Sequence, residues 1–144
     1  MFVKYAEKSE INEWMSLVEV VRDNFPGLDE IQYREGLEKS IENREALTAW
    51  EGDVLIGVLA FSKASAELEF LAVHPKHRRK GAAKALFEKM LQEFKDGNEI
   101  SVVTYCEGDE IGASARKLYF SLGFGEAELL TVFDYPCQRL IYIA

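Results

Sequence analysis

Five basic residues stand together near the middle of the chain and are followed at once by three very small ones. The basic run is Lys76–Lys80 (KHRRK), and Gly81, Ala82 and Ala83 come next, at the start of a segment with a helical pattern. The first amides of a helix have no partner within it, and the helix dipole adds about half a positive charge there. Small side chains leave these amides accessible to a phosphate. The spacing predicts a site for a phosphate-bearing ligand, while the residue types alone also fit a solvated basic turn before a surface helix.

The other side chains with reactive chemistry form no comparable pattern. Cys106 ends a predicted buried strand, where a cysteine acts more often as a small hydrophobe than as a nucleophile. His74 and His77 have no third ligand at metal spacing, so no metal site is predicted. The only other cysteine is Cys137, and two cysteines are too few for a disulfide framework or a four-thiolate zinc site. We expect both to be reduced.

The balance of charge limits the classes of partner. The 144 residues include 17 Lys and Arg against 25 Asp and Glu, a formal net charge of -8. This charge disfavours nucleic acid, whose affinity for proteins comes mainly from neutralised phosphates, and it favours a cationic partner. No apolar run approaches the ~18 residues that span a bilayer, and no signal-peptide pattern is present. We therefore expect a cytoplasmic protein with no membrane partner, folded as a single domain over residues 1–144.

The elements that must position the basic turn follow from periodicity and from turn residues. The centre of the chain reads as strand, basic turn, helix and strand, which predicts a right-handed crossover between parallel strands. In the second helix, Ile31, Leu37 and Ile41 are predicted to face inward. The predicted order is a strand at Phe2–Tyr5, a helix capped by Ser9, a helix at Asp29–Arg44, a hairpin turning at Gly52-Asp53, a strand at Glu67–Val73, a helix at Gly81–Lys95, a strand at Ile100–Cys106, a helix at Ala113–Leu122, and strands at Leu129–Tyr135 and Arg139–Ile143.

Two motifs give the chain a resemblance to a known family. Arg78–Ala83 (RRKGAA) follows a strand ending in Val-x-Pro and matches Q/R-x-x-G-x-G/A, which resembles the acetyl-CoA signature of the GNAT superfamily of N-acyltransferases. Downstream, Ala115–Phe124 (ARKLYFSLGF) is similar to that superfamily's A-x-x-(F/L)-Y-x-x-x-G-F element. The resemblance extends from about Phe2 to Ala144. It implies an α/β (α+β) fold in which a mixed, splayed sheet of six to seven strands is flanked by about four helices.

The resemblance also implies where acetyl-CoA, the expected co-substrate, would bind. The strand before the basic turn, at Leu71, Ala72 and Val73, would pair with the pantetheine arm, and the Val73 amide would polarise the thioester carbonyl. The pyrophosphate would lie on the amides of Arg79–Ala83, with added charge from the side chains of Arg78 and Lys80. One departure concerns an asparagine that the superfamily often carries seven residues before its motif tyrosine. This chain has Gly112 there, and Ser114 or Glu110 is the expected replacement.

The catalytic residues that the resemblance implies are one tyrosine and one carboxylate. Tyr119 lies four residues before Gly123, as the superfamily's general acid does, and a core tyrosine would show the same spacing. An alkylamine has a pKa of ~10 and is mostly protonated at neutral pH, so it needs a base before it can attack a thioester. Glu67 aligns with the superfamily's base and Glu69 is the nearest substitute. On a regular strand Glu67 and Glu69 share one face, and Phe70 and Ala72 do not lie on that face. The alternative to a catalytic role is a pair of carboxylates on a solvated sheet face.

The function implied is direct transfer of an acetyl group from acetyl-CoA to a primary amine, without a metal. The acceptor would be a small molecule, a polyamine, an antibiotic or a peptide, and it is expected to be cationic. Phe25–Leu28 and Tyr135-Pro136 are predicted to wall its site, and a homodimer paired through the C-terminal strands is compatible with the resemblance. Two other classes stay open: a non-catalytic acyl-CoA sensor, and a nucleic-acid-binding protein that uses Lys76–Lys80.

Overall fold

The computed structural model describes all of residues 1–144, and its centre is one sheet of seven strands with four α-helices around it. The predicted architecture is confirmed. The strands are β1 (Phe2–Tyr5), β2 (Ala46–Glu51), β3 (Val54–Ser62), β4 (Glu67–Val73), β5 (Glu99–Tyr105), β6 (Gly125–Val132) and β7 (Tyr135–Ile143). The helices are α1 (Ile11–Val20), α2 (Glu30–Glu42), α3 (Ala82–Leu91) and α4 (Ala113–Leu122), with short 3-10 turns at Lys8–Glu10, Arg22–Asn24, Pro75–His77 and Glu110–Gly112.

The sheet is antiparallel except at its middle, where it opens. The strand order is β1-β2-β3-β4-β5-β7-β6, and β4 and β5 are the parallel pair. They are in register only at Glu67 and Ser101, and beyond that point they diverge. On its other side β5 pairs with β7 from Glu99 to Tyr105, along its whole length. The splay predicted for the sheet is therefore present, and it opens toward the carboxyl ends of β4 and β5.

The helices cover the sheet on both faces and so hold the opening in place. Helices α1 and α2 bury Trp14, Val18 and Leu37 on one face, while α3 buries Leu86 and Met90 on the other. A sheet covered on both faces explains the unbroken apolar run in β3, which is buried throughout its middle. None of the helices is long and apolar enough to cross a membrane.

Three details of the predicted elements are wrong: the cap of α1, the inner face of α2 and the place of the last turn. Ser9 lies inside the 3-10 turn at Lys8–Glu10, and α1 has no side-chain cap hydrogen bond. Ile31 was predicted to face inward, but it is 74% exposed in the first turn of α2, where the Asp29 carboxylate accepts hydrogen bonds from the Ile31 and Gln32 amides. The last hairpin turns at Phe133-Asp134, with φ of 49° and 63°, and Pro136 lies inside β7. Two left-handed residues in a two-residue loop give the turn type that matches strand twist, although glycine and asparagine usually occupy it.

Candidate active site

The divergence of β4 and β5 opens a cleft of about 1420 Å³ that reaches across the molecule. Its walls come from β4, the first turn of α3, the end of β5, α4, the α1–α2 connection and the β6–β7 turn. All the predicted site residues except Lys80 line this cleft: Glu67, Glu69, Leu71, Ala72, Val73, Arg78, Arg79, Gly81, Ala82, Ala83, Ser114 and Tyr119. The fold thus brings the two sequence motifs to one cavity.

The basic turn and the start of α3 form a concave surface of free amides. Arg79 and Gly81 both have left-handed backbones, with φ of 65° and 86°, and this curls the chain just before the helix. The amides of Ala82, Ala83 and Lys84 donate to no backbone carbonyl. Such an arrangement binds anions, and a Cβ built on Gly81 meets nothing within 4 Å. The residues present fit a pyrophosphate.

The cationic side chains at this end of the cleft differ in part from those predicted. Lys80 does not line the cleft, and its Nζ lies 3.2 Å from Nδ1 of His77, which does. Lys84 and Lys117 line it instead, together with the arginines of the turn. Sequence reasoning missed these two lysines because each belongs to a helix whose orientation the sequence does not give. Lys84 could have been noticed, since it lies in the first turn of α3 beside the free amides.

The backbone of β4 is available on the side that faces the opening. The His74 amide donates to the Ile56 carbonyl at 2.8 Å, and Ala72 lies opposite Val58 in β3. Because hydrogen bonding alternates along an antiparallel pair, the amides of Leu71 and Val73 point away from β3 and into the cleft. An extended ligand arm can therefore pair with β4 where β5 no longer does.

A β-bulge at Glu69 changes which β4 residues share a face. Ala60 lies opposite Phe70 and Phe61 opposite Leu68, so Glu69 has no partner in β3. After the bulge, Phe70 packs with α1 and α2, whereas Leu68 packs with α3. The prediction that Phe70 and Ala72 lie off the face of Glu67 is therefore wrong, because it assumed unbroken alternation.

The two carboxylates in the cleft have no cationic partner in the protein. Glu67 and Glu69 both line the cavity, and neither forms a salt bridge. Burial, followed by the negative charges of Glu67 and Glu45, raises the pKa of Glu69. A carboxylate with a raised pKa is a stronger base, and two unpaired carboxylates attract a cation.

Tyr119 presents an unpaired hydroxyl to the cleft from a buried ring. The residue is 7% exposed, and its ring packs on Phe124 with 5.8 Å between centroids. Its hydroxyl makes no hydrogen bond within the protein, and no fully buried polar side-chain atom is unpaired, so the oxygen opens on the cavity. Burial raises the pKa of Tyr119 to about 12. The phenol therefore stays protonated at neutral pH and can donate a proton.

A buried arginine behind the cleft was missed by sequence reasoning. Arg116 on α4 is 6% exposed, and its guanidinium donates to the Tyr105 carbonyl and to Gln138 Oε1, both at 2.9 Å. It also pairs with Glu126 at 3.2 Å. These bonds tie the end of β5 to α4, β6 and β7. Arg116 therefore fixes the wall from which Tyr105 lines the cleft.

The family can now be assigned. The sequence model of the acetyltransferase (GNAT) family matches residues 10–124. The chain belongs to the GNAT family. It is therefore an enzyme of the acetyl-CoA-dependent N-acetyltransferase class. The matched segment includes β4, α3, β5 and α4, which form much of the cleft.

Solved GNAT structures share the fold over nearly the whole chain. A GNAT acetyltransferase from Bacillus cereus ATCC 10987 has a TM-score of 0.76 and 20% identity, covering 99% of this chain and 96% of its own. The Salmonella typhimurium protein yncA, whose structure includes acetyl-CoA, has a TM-score of 0.70 and 16% identity, covering 99% and 92%. Arabidopsis thaliana Naa50, in complex with the bisubstrate analogue CoA-Ac-MVNAL, has a TM-score of 0.73 and 17% identity, covering 98% and 97%. The TM-scores show that these proteins share the fold of this chain. No curated protein matches the chain in sequence.

The departure from the GNAT motif at Gly112 has a steric cause. A Cβ on Gly112 would lie 2.5 Å from Tyr105 Cβ and 2.7 Å from Tyr105 Cδ2. No side chain, and so no asparagine, fits beside this tyrosine. Of the two replacements predicted, Ser114 lines the cleft and Glu110 does not.

Replacing Gly112 by alanine is expected to lower the free energy of unfolding by about 1–3 kcal/mol, the usual cost of overpacking. The contact falls on Tyr105 Cβ, which moves only with the backbone of β5. Chemical denaturation of Gly112→Ala against Gly36→Ala measures the effect. Gly36 lies inside α2 with nothing within 4 Å of an added Cβ, so its variant should gain up to about 1 kcal/mol from helix propensity. Equal stabilities for the two variants would contradict the clash.

Proposed function

We propose that residues 1–144 form one catalytic domain that moves an acetyl group from acetyl-CoA to a primary amine by direct attack. One observation carries this proposal: a single cleft holds free amides and cationic side chains at one end, and unpaired carboxylates at the other. The first end suits an anionic acyl donor and the second suits a protonated amine. The net charge of -8 also favours a cationic acceptor over nucleic acid.

The donor end fits coenzyme A through the residues predicted for it. The amides between Arg79 and Ala83, with the Arg78 side chain, would hold the pyrophosphate, and Lys84 and Lys117 add positive charge. The open amides of Leu71 and Val73 would pair with the pantetheine arm. Ser114 lines the same wall and would replace the contact that Gly112 cannot make. When bound, acetyl-CoA supplies the acetyl group as an activated thioester.

The chemistry assigned to the protein is proton transfer at two positions. A carboxylate on β4 takes a proton from the ammonium, and the freed nitrogen lone pair forms the N–C bond. As the C–S bond breaks, the Tyr119 hydroxyl gives its proton to the departing thiolate. The acylated nitrogen loses its second proton to solvent, and the products are an N-acetylamine and free coenzyme A. The proton taken by the carboxylate returns to Tyr119 through solvent. We assign the base to Glu69, because it is the bulged residue of β4 that lines the cleft and desolvation there raises its pKa.

The acceptor end lies between the α1–α2 connection and the β6–β7 turn, which both line the cleft. Phe25, Pro26 and Gly27 form one side, and Phe133 and Tyr135 the other. The peptide-containing analogue bound to Arabidopsis thaliana Naa50 supports an amine on a peptide or protein as one class of acceptor. The outer edge of β6 is unpaired, and a homodimer would form there. Two free cysteines suit a cytoplasmic location.

Replacing Glu69 by glutamine is expected to lower kcat/KM about a hundredfold through loss of the base. Glu67→Gln should keep more activity and move the acidic limb of the pH profile to lower pH, because the Glu67 charge helps to raise the pKa of Glu69. Thiol release measured from pH 5 to 9 checks both results. Loss of activity in Glu67→Gln alone would assign the base to Glu67 instead.

Thermal stability gives an independent check on the Glu69 variant. A carboxyl whose pKa is raised on folding destabilises the protein above that pKa, since the folded state then holds a charge it disfavours. Below the ordinary value of 4.5 the penalty disappears. Glu69→Gln should therefore raise Tm at pH 7 and leave it unchanged at pH 4. A fall in Tm at pH 7 would contradict the raised pKa.

The proposal as a whole is tested by thiol release from acetyl-CoA with a panel of primary amines, each product being confirmed by mass. Acetylation of any amine that depends on Tyr119 or Glu69 supports it. Tight binding of coenzyme A without thiol release from any amine would favour the acyl-CoA sensor. Gly112 is the observation that keeps the sensor as the second candidate, since a usual GNAT contact is absent there.

A further inference from the structure

An aromatic floor lies beside the carboxylates, at the acceptor end of the cleft. The rings of Phe25 and Phe70 are 4.5 Å apart between centroids, and both residues line the cavity. On its other edge Phe70 contacts Tyr33 at 5.1 Å, and the Tyr33 hydroxyl accepts a hydrogen bond of 2.8 Å from Trp14 Nε1. Phe70 is thus held from behind by buried side chains of α1 and α2. Phe25 is half-buried and stands in the connection between those helices.

The bulge in β4 places charge directly next to this floor. Glu69 is the bulged residue, and Phe70 follows it in the chain. Glu67 lies two residues before Glu69, and neither carboxylate has a cationic partner. The unpaired hydroxyl of Tyr119, on a residue more than nine-tenths buried, opens on the same cavity. β4 therefore places two carboxylates and an aromatic side chain close together in the cleft.

The opposite rim of the cleft carries a second apolar side chain that nothing in the protein covers. Phe133 is 99% exposed at the tip of the β6–β7 turn and lines the cleft. It has a left-handed backbone, which is uncommon for an aromatic residue, as does Asp134 after it. The turn is held by Tyr135, whose hydroxyl donates to Asp109 Oδ2 at 2.6 Å and whose ring contacts Tyr105 at 5.4 Å. An exposed aromatic side chain at the mouth of a cleft is free to contact a bound ligand.

We propose that the acceptor is a primary amine with an apolar group beside its nitrogen. This inference rests on the proposed acetyltransferase function and names the acceptor class for the same cleft. The ammonium is bound by Glu67 and Glu69, and the apolar group packs on Phe25 and Phe70, with Phe133 covering it. A peptide whose first side chain is apolar and an arylalkylamine share this chemistry. A polyamine does not, because it has no terminal apolar group to pack on the two rings.

The experiment compares matched acceptors that differ only in the apolar group. One pair is 2-phenylethylamine and ethylamine, and the other is the peptide amides Leu-Ser-Gly-Ser and Gly-Ser-Gly-Ser, all assayed by thiol release with acetyl-CoA. We expect kcat/KM to be at least about tenfold higher for the apolar member, as one hydrophobic contact in a pocket gives. A preference in the peptide pair alone identifies a peptide acceptor, and in the amine pair alone a small amine. Equal values within both pairs would overturn the inference.

Phe25→Ala tests the floor itself. It should raise KM about tenfold for the apolar acceptors and much less for ethylamine and Gly-Ser-Gly-Ser, so that the preference within each pair is lost. The matched control is Phe2→Ala, since Phe2 is 62% exposed on β1 and does not line the cleft. If Phe25→Ala folds poorly, Phe25→Ser and Phe133→Ser provide the same comparison. Unchanged selectivity in every folded variant would contradict the role of the aromatic residues.

A binding measurement keeps this inference separate from the proposed function. Titration calorimetry of 2-phenylethylamine and ethylamine into the wild-type protein with coenzyme A needs no turnover. Affinity at least about tenfold higher for 2-phenylethylamine, lost in Phe25→Ala, would support the acceptor class even if no amine were acetylated. The two peptide amides are titrated in the same way. Equal affinity or no binding within both pairs would overturn the class even if some other amine were acetylated.

Discussion

Replacing Gly81 by valine is expected to weaken acetyl-CoA binding about a hundredfold, which corresponds to about 3 kcal/mol. The left-handed backbone of Gly81, at φ 86°, is one that a β-branched residue adopts only with strain, so the turn before α3 must change shape. Hydrogen bonds to a charged group contribute about 1.5–3 kcal/mol each, and a pyrophosphate on the free amides would lose more than one of them. Titration calorimetry with acetyl-CoA measures the loss.

Gly97→Val is the matched control for that substitution. Gly97 has φ 89° and, like Gly81, nothing within 4 Å of an added Cβ, but it lies in the turn after α3 and does not line the cleft. The backbone strain of the two variants should be similar, so they should lose similar stability. Only Gly81→Val should lose affinity. Equal affinities for acetyl-CoA in the two folded variants would exclude this turn as the pyrophosphate site.

The same turn shows why the residues proposed to bind the donor could be found from sequence. Each signal there is local: a glycine where the backbone must be left-handed, alanines where amides must be free, and basic residues beside them. The bounds of α4 were predicted correctly for the same reason, since Gly123 ends that helix with φ 108°. What the sequence did not provide was the direction of flexible side chains. For this reason the prediction included Lys80, which does not line the cleft, and omitted Lys117, which does.

The acceptor site was less predictable because its features depend on how separate segments pair. The bulge at Glu69 is a property of β3 and β4 together, and nothing in the residues of either strand marks it. The turn at Phe133-Asp134 contains no glycine or asparagine, and the predicted strands placed the break after Tyr135 instead. Arg116 has the appearance of a solvated helix residue. Its burial is tolerated only because the Tyr105 carbonyl, Gln138 and Glu126 come from three other elements to meet it.

Tyr119→Phe is expected to lower kcat by about 10²–10⁴-fold, the range typical of a lost general acid, with little change in affinity for acetyl-CoA. The hydroxyl has no hydrogen-bond partner in the protein, so its removal costs no internal bond and Tm should be unchanged. With the pKa of Tyr119 at about 12, the phenol remains protonated across the assay range. Wild-type kcat should accordingly show no alkaline decline up to about pH 10, one to two units below that pKa.

Tyr142→Phe is the control for Tyr119→Phe, because it also removes a tyrosine hydroxyl near the core but should not lower kcat. Tyr142 on β7 packs against Phe87 and Phe124, on the side of the sheet where Tyr119 packs, and it does not line the cleft. Its variant should keep wild-type kcat. Pre-steady-state measurement of thiol release then distinguishes chemistry from product release, because a general acid acts on the departing thiolate itself. A slow thiol-release step in Tyr119→Phe alone would place the proton donor at Tyr119, whereas equal rates in the two variants would show that the thiolate takes its proton from solvent.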